Sequence, residues 1–147
     1  GPQLLEINVR FGDPEAQAIF PRLKSDLLEL LLSCSNGKLS ELKSLEWNDS
    51  HCMNVVMASK GYPEKYNKNT VIKGLNNITS NDCKYIFHSS TKRNNNEEWL
   101  ATGGRVLSIS GTGATLKDAK KNAYNTIKKI NWDNGYFRKD IGCKYLK

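Results

Sequence analysis

The chain holds 147 residues, 38% of them hydrophobic and 25% charged, enough for about one compact domain. Lys and Arg number 22 against 15 Asp and Glu, a formal net charge of +7, a surplus that suits either nucleic acid or a site for a phosphorylated small molecule. No apolar run reaches the length of a bilayer span, since residues 27–34 stop short and carry Glu29.

No secretory leader pattern is recognisable. Cys34, Cys52, Cys83 and Cys143 form no Cys-x-x-Cys pair, which speaks against a zinc site and a disulfide framework. Reduced thiols in a cytoplasmic protein are expected instead.

Residues 4–11 alternate strictly, with Leu5, Ile7, Val9 and Phe11 on one side and Glu6, Asn8 and Arg10 on the other. The alternation predicts a strand, with polar side chains about 6.6 Å apart at about 3.3 Å per residue. A carboxylate and an amide carbonyl are hard oxygen ligands suited to Mg²⁺, and the arginine beyond them can meet the charge of a transferring phosphoryl group. The wet face of any half-exposed strand shows the same pattern. Gly12 permits a tight turn, Asp13 suits a helix N-cap and Pro14 a first helical position. A helix is expected over 14–22, ended or kinked at Pro21.

Ser25 is expected to cap a second helix over 26–33, with Leu23, Leu27, Leu30, Leu31 and Cys34 on its buried side. Asn36-Gly37 is a stop signal. Residues 38–47 read as a short connection, with a domain boundary near residue 45.

Beyond it the pattern turns to strands, at 52–59, 71–75, 84–89, 98–102 and 105–110. Lys60-Gly61-Tyr62-Pro63 reads as a turn, Lys92-Arg93-Asn94-Asn95-Asn96 as a polar hairpin loop, and Gly111 with Gly113 as a further turn. Thr115 can cap a helix over 116–130, with Leu116, Ala119, Ala123, Ile127 and Ile130 facing the core. Its lysines, Lys117, Lys120, Lys121, Lys128 and Lys129, read as a solvated face. The class is α+β: a strand–helix piece over 1–45, then over 46–147 a small β-rich domain, barrel- or sandwich-like, covered by one helix. Tyr62, Tyr66 and Trp99 do not interleave with basic residues as a stacking platform would, so nucleic acid is not expected as a partner, and neither is a membrane.

In Gly103-Gly104-Arg105, two glycines allow close approach to the backbone and the guanidinium offers a fork of donors for phosphate oxygens. A hairpin turn followed by a surface arginine would read the same. Lys60 can stand at a site rim or merely on an exposed turn. His88 has a pKa suited to proton transfer, but no carboxylate neighbours it in sequence. Asp13 and Glu15 could orient a substrate or serve only the helix start.

The string Glu6-Ile7-Asn8-Val9-Arg10-Phe11-Gly12-Asp13-Pro14-Glu15 resembles the closing strand of an ATP-grasp ligase domain. More narrowly, it resembles the signature of the phosphoribosylamine–glycine ligases, which more often have Phe where Ile7 stands. Lys60-Gly61-Tyr62-Pro63, Phe87-His88, Gly103-Gly104-Arg105-Val106-Leu107 and Asp140-Ile141-Gly142 resemble the C-terminal domain of that family, in the same order. Ser89 and Ser90 depart from it, and so does the enlarged loop around Asn94.

The resemblance implies a C-terminal fragment of a ligase that joins 5-phosphoribosylamine to glycine with ATP, in purine biosynthesis. It implies Glu6 and Asn8 as ligands of Mg²⁺ or Mn²⁺, and Arg10 as the catalytic group on the transferred phosphoryl or acyl phosphate. Arg105 would hold the 5′-phosphate of the amine, with Gly104, Lys60 and Asp13 beside the substrate. The nucleotide lid belongs to the N-terminal part of such an enzyme, so the fragment alone is expected to be inactive. The alternatives are another ATP-grasp ligase and a basic, non-catalytic binding module.

Overall fold

The computed structural model describes residues 1–42, 44–79 and 83–146. Its strands are β1 (His51–Ser59), β2 (Thr70–Ile72), β3 (Lys84–His88), β4 (Thr91–Arg93), β5 (Trp99–Ala101), β6 (Arg105–Gly113) and β7 (Gly135–Phe137), and its α-helices are α1 (Ala16–Ile19), α2 (Leu27–Ser35) and α3 (Leu116–Ile127). The class is α+β, with two antiparallel sheets in the strand orders β3-β6-β1-β7 and β2-β5-β4.

Alternation in β1 explains the larger sheet. Met53, Val55 and Met57 are buried, and Val55 and Met57 join Leu107, Ile109, Ala123, Ile127, Ile130 and Trp132 in one core. Each buried Val, Leu, Ile or Met side chain among them stabilises by about 1.5–3 kcal/mol when removed from water. The opposite face carries Asn54, Ser108 and Ser110, and the short helix α1 lies over it.

Gly111 and Gly113, expected in a turn, lie inside β6, opposite Met53 and His51. A Cβ on Gly111 would stand 2.4 Å from both Ala119 O and Ala123 N, and one on Gly113 would stand 2.8 Å from Ala119 N. These glycines let α3 lie directly on the strand, a use of glycine that looks like turn punctuation in sequence. Thr115 caps α3 as expected, accepting from Asp118 N at 3.1 Å. The helix ends at Ile127, and a tighter turn carries Ile130 to the core.

The small sheet differs from expectation. Lys92 and Arg93 belong to β4, which pairs with β5, so only the turn after them is loop. β2 stops at Ile72 because Gly74 takes a left-handed conformation, φ +87°, and Leu75–Asn77 form a 3-10 turn. β7 was not expected, since its three residues, Gly135, Tyr136 and Phe137, are too few to show a strand period. It forms because the free edge of β1 offers partners for it.

In the N-terminal part, residues 4–11 form no strand. They have no neighbouring strand to bond, and Leu5 and Val9 are 94% and 99% exposed. The helical stretch expected over 14–22 is α1 followed by a 3-10 turn, Phe20–Arg22. Asp13 is not the cap of α1. Glu15 holds that position, and the Asp13 carboxylate points elsewhere. Asp26, not Ser25, caps α2, accepting from Glu29 N at 3.0 Å, while Ser25 Oγ accepts from Glu46 N at 2.8 Å.

The helix stops at Asn36, with Gly37 at φ +69°. Its Leu27, Leu30, Leu31 and Cys34 are not buried as expected. They line an open apolar hollow of about 460 Å³ with Phe11, Phe20, Leu42 and Trp47.

Candidate functional site

The best-defined site lies where residues 12–17 meet the rim of the larger sheet. Along β1 and β6 the register shifts once: Met57 faces Leu107 but Ala58 faces Arg105, so Val106 is unmatched. One extra residue reverses side-chain parity. Arg105 is thereby turned away from the α3 side, where Leu107 and Ile109 point, to the side shared with Ser108 and Ser110. There its Nη1 donates to the carbonyl of Asp13 at 3.0 Å and its Nη2 to Asp13 Oδ2 at 3.1 Å. Both side chains remain a little over one third exposed.

The other Asp13 oxygen, Oδ1, accepts from Gln17 Nε2 at 3.1 Å. Ser110 Oγ lies 2.6 Å from Gln17 O and 2.9 Å from Asn54 Oδ1, sharing its one proton between them. Gln17 Oε1 is buried with no partner among the described residues. These polar groups inside two apolar strands are the part of the site that sequence reading missed. The available signal was Asn54 within Met53-Asn54-Val55 and the alternation Ser108-Ile109-Ser110, polar at every second position.

The residues 60–63 and 103–105 form one packed unit. Gly104 is buried, and a Cβ there would stand 2.2 Å from the Tyr62 ring. At Gly103 the neighbour is Ser90. Ser59 donates through Oγ to Gly103 O at 2.8 Å and through N to Gly104 O at 2.8 Å. The close approach that the two glycines allow is thus made by Tyr62 and Ser90 of the same chain. Gly61 turns the segment with φ +96°, and Lys60 stands exposed beside it. Ser59, the residue before Lys60, thus ties the end of β1 to Gly103 and Gly104, and Arg105 beside them reaches Asp13 through its guanidinium.

Glu6, Asn8 and Arg10 lie on the exposed N-terminal segment. Asn8 Nδ2 donates to Glu6 Oε1 at 2.9 Å, so the two side chains share one side of the backbone, and Arg10 Nη1 donates to Phe11 O at 2.7 Å. Among the described residues no group of three or more His, Cys, Asp or Glu side chains is gathered for a metal. One carboxylate with one amide oxygen, both open to solvent, fits Mg²⁺ of the kind that takes its other ligands from water and phosphate.

Among the described residues His88 has no carboxylate partner. Its Nδ1 lies 2.9 Å from Thr91 Oγ1, and its ring centroid lies 4.4 Å from that of Trp99. Burial and the nearby Arg93 charge hold its pKa below the ordinary value. Burial pushes the Cys52 thiol up to about 11, against a smaller opposing effect of Arg22. Neither group touches the Asp13–Arg105 unit. Among the described residues no helix is long and apolar enough to cross a membrane.

Fold and site together define an α+β domain of two antiparallel sheets with a glycine-lined rim that carries an arginine and a lysine. Residues 52–144 match the family described as phosphoribosylglycinamide synthetase, C domain, and the chain belongs to that family. The phosphoribosylamine–glycine ligase of Brucella melitensis is 45% identical over 147 residues, 100% of this chain and 34% of that protein. The chloroplastic phosphoribosylamine–glycine ligase of Arabidopsis thaliana is 44% identical, over 99% of this chain and 27% of its own length. The crystal structure of phosphoribosylamine–glycine ligase from Thermotoga maritima matches with a TM-score of 0.76 at 29% identity, covering 95% of this chain and 33% of that one. The chain spans about a third of the length of these relatives.

Proposed function

We propose that the chain is the C-terminal part of an ATP-dependent carbon–nitrogen ligase. The reaction joins 5-phosphoribosylamine to glycine, giving ADP, phosphate and glycinamide ribonucleotide for purine biosynthesis in the cytoplasm. The relatives with that name, similar over nearly the whole chain, support the reading.

The structural observation that carries it is the Asp13–Arg105 contact. It ties the segment bearing Glu6, Asn8 and Arg10 to the rim bearing Lys60, Gly104 and Arg105. A ligase of this kind must hold a phosphorylated amine beside an activated carboxylate, and the contact joins the residues for the two tasks. Residues 1–45 would be the end of an ATP-grasp domain and 46–147 the C-terminal domain. The rest of the same enzyme, with the nucleotide lid, would be the partner of residues 1–45.

Arg105 holds the 5′-phosphate of the amine. Asp13 fixes the guanidinium from one side and leaves it further N–H donors for phosphate oxygens. Gly104 and Lys60 shape the same rim. Arg10 steadies the negative charge of the transferred phosphoryl group or acyl phosphate. Glu6 and Asn8 hold Mg²⁺ or Mn²⁺, which when bound supplies charge neutralisation for ATP phosphates.

The test is Arg105→Ala in the full-length enzyme. One charge-assisted bidentate contact is worth about 1.5–3 kcal/mol, about a tenfold to hundredfold loss in kcat/KM for phosphoribosylamine. The KM values for ATP and glycine should hardly move, and Arg105→Lys should restore only part of the loss. An equal rise in all three KM values would return Arg105 to a structural role.

A further inference from the structure

Away from the Asp13–Arg105 rim, on the α3 side of the larger sheet, a groove of about 450 Å³ runs between β3 and α3. Lys84, Lys128, Lys129, Asn122, Asn125 and Thr126 line it. Its depth follows from Gly111. Lys84 pairs in register with Gly111, and the missing Cβ there lets α3 settle against the strand. That close seating sets Lys84 opposite the last turn of the helix.

Two of the lining groups are fixed internally: Asn122 Nδ2 donates to Thr112 O at 2.8 Å, and Thr126 Oγ1 donates to Asn122 O at 2.9 Å. The lysines are not. Among the described residues Lys84, Lys128 and Lys129 enter no ion pair, and no carboxylate lines the groove. Asn125 makes no hydrogen bond to another described residue, so its amide is available to a ligand.

We propose that this groove is a second anion site, for a compact oligophosphate such as a di- or triphosphate group. Three lysines around one concavity bring like charges to it, and an oligophosphate offsets them while giving the Asn125 amide an acceptor. A nucleic-acid strand presents the same phosphate chemistry. It would leave its bases unsupported, because among the described residues no aromatic side chain lines the groove. The site is independent of the ligase reading, since it shares no residue with Arg105 or with Glu6, Asn8 and Arg10.

The test uses the 147-residue chain and inorganic tripolyphosphate. Amide and side-chain NMR shifts should be confined to Lys84, Asn125, Lys128, Lys129 and their neighbours. The double variant Lys128→Glu/Lys129→Glu should weaken binding by about tenfold or more, and Lys117→Glu/Lys121→Glu, with the same charge change on the same helix outside the groove, by far less. Equal loss in both double variants would reduce the effect to net charge and overturn the site. So would shifts scattered over the surface, none at millimolar tripolyphosphate, or binding of a uridine oligonucleotide but not of tripolyphosphate. The shift map of the unmodified chain decides even if a variant fails to fold.

Discussion

Arg105 holds Asp13 across 92 positions of sequence, through the backbone carbonyl at 3.0 Å and the carboxylate at 3.1 Å. The contact exists because one unmatched residue in β6 turns Arg105 to the face where α1 lies. It is both a tie between the two halves of the chain and the frame of the proposed phosphate site.

The tie itself can be measured without any assay of activity. A double-mutant cycle of Asp13→Asn and Arg105→Gln should give a coupling of about 0.5–1 kcal/mol, the range for a partly exposed ion pair. Urea unfolding of the four proteins reads it. Simple additivity would mean that the pair does not hold residues 12–17 to the sheet.

Gly111→Ala should destabilise the chain by about 1–3 kcal/mol, at the upper end because the opposing atoms, Ala119 O and Ala123 N, are backbone and cannot rotate away. The urea midpoint should fall with little change in its slope. A loss below about 0.5 kcal/mol would show that α3 can lift from β6 at no cost.

Cys52 should alkylate far more slowly than Cys34. At a pKa of about 11 its thiolate is scarce at neutral pH, whereas Cys34 is exposed. Even after allowing for the greater nucleophilicity of a more basic thiolate, the rate should be lower by tens of fold. Peptide mass spectrometry after brief iodoacetamide treatment at pH 8 resolves the two sites. Equal labelling would mean that β1 opens readily at its start.

His88 sets a pH dependence of stability with a definite sign. Its pKa lies near 6.5 in the unfolded chain and lower in the folded one, through burial first and Arg93 second. Between those two values the unfolded state binds more protons, so stability rises with pH. The contribution is complete above about pH 6.5 and is lost as pH falls through the folded value. NMR titration of the ring should show the lowered pKa, and Arg93→Gln should move it part of the way back. A folded pKa at or above 6.5 would contradict the packing against Trp99.

Local chemistry was legible in the sequence. The strand over 52–59, the cap at Thr115, the stop at Asn36-Gly37 and the four-residue spacing of Ala119, Ala123 and Ile127 each depend on neighbours a few positions away, and each reappears in the fold. The order of the short motifs was also enough to place the chain in its family. What remained hidden depends on who meets whom across long separations. Gly111 and Gly113 read as a turn because glycine has the same lettering whether it bends the backbone or makes room for a helix.

Residues 4–11 read as a strand because alternation records a capacity to pair, while a strand requires a neighbour that the tertiary structure of this chain does not supply. Asp13 read as a cap because its carboxylate stands just before a helix; only the bulge that turned Arg105 decided that the carboxylate would point across the molecule instead. Sequence fixes side-chain chemistry and local period. Register and the parity of a strand beyond a bulge arise from pairing between distant segments, so the direction of Arg105 belonged to the tertiary structure alone.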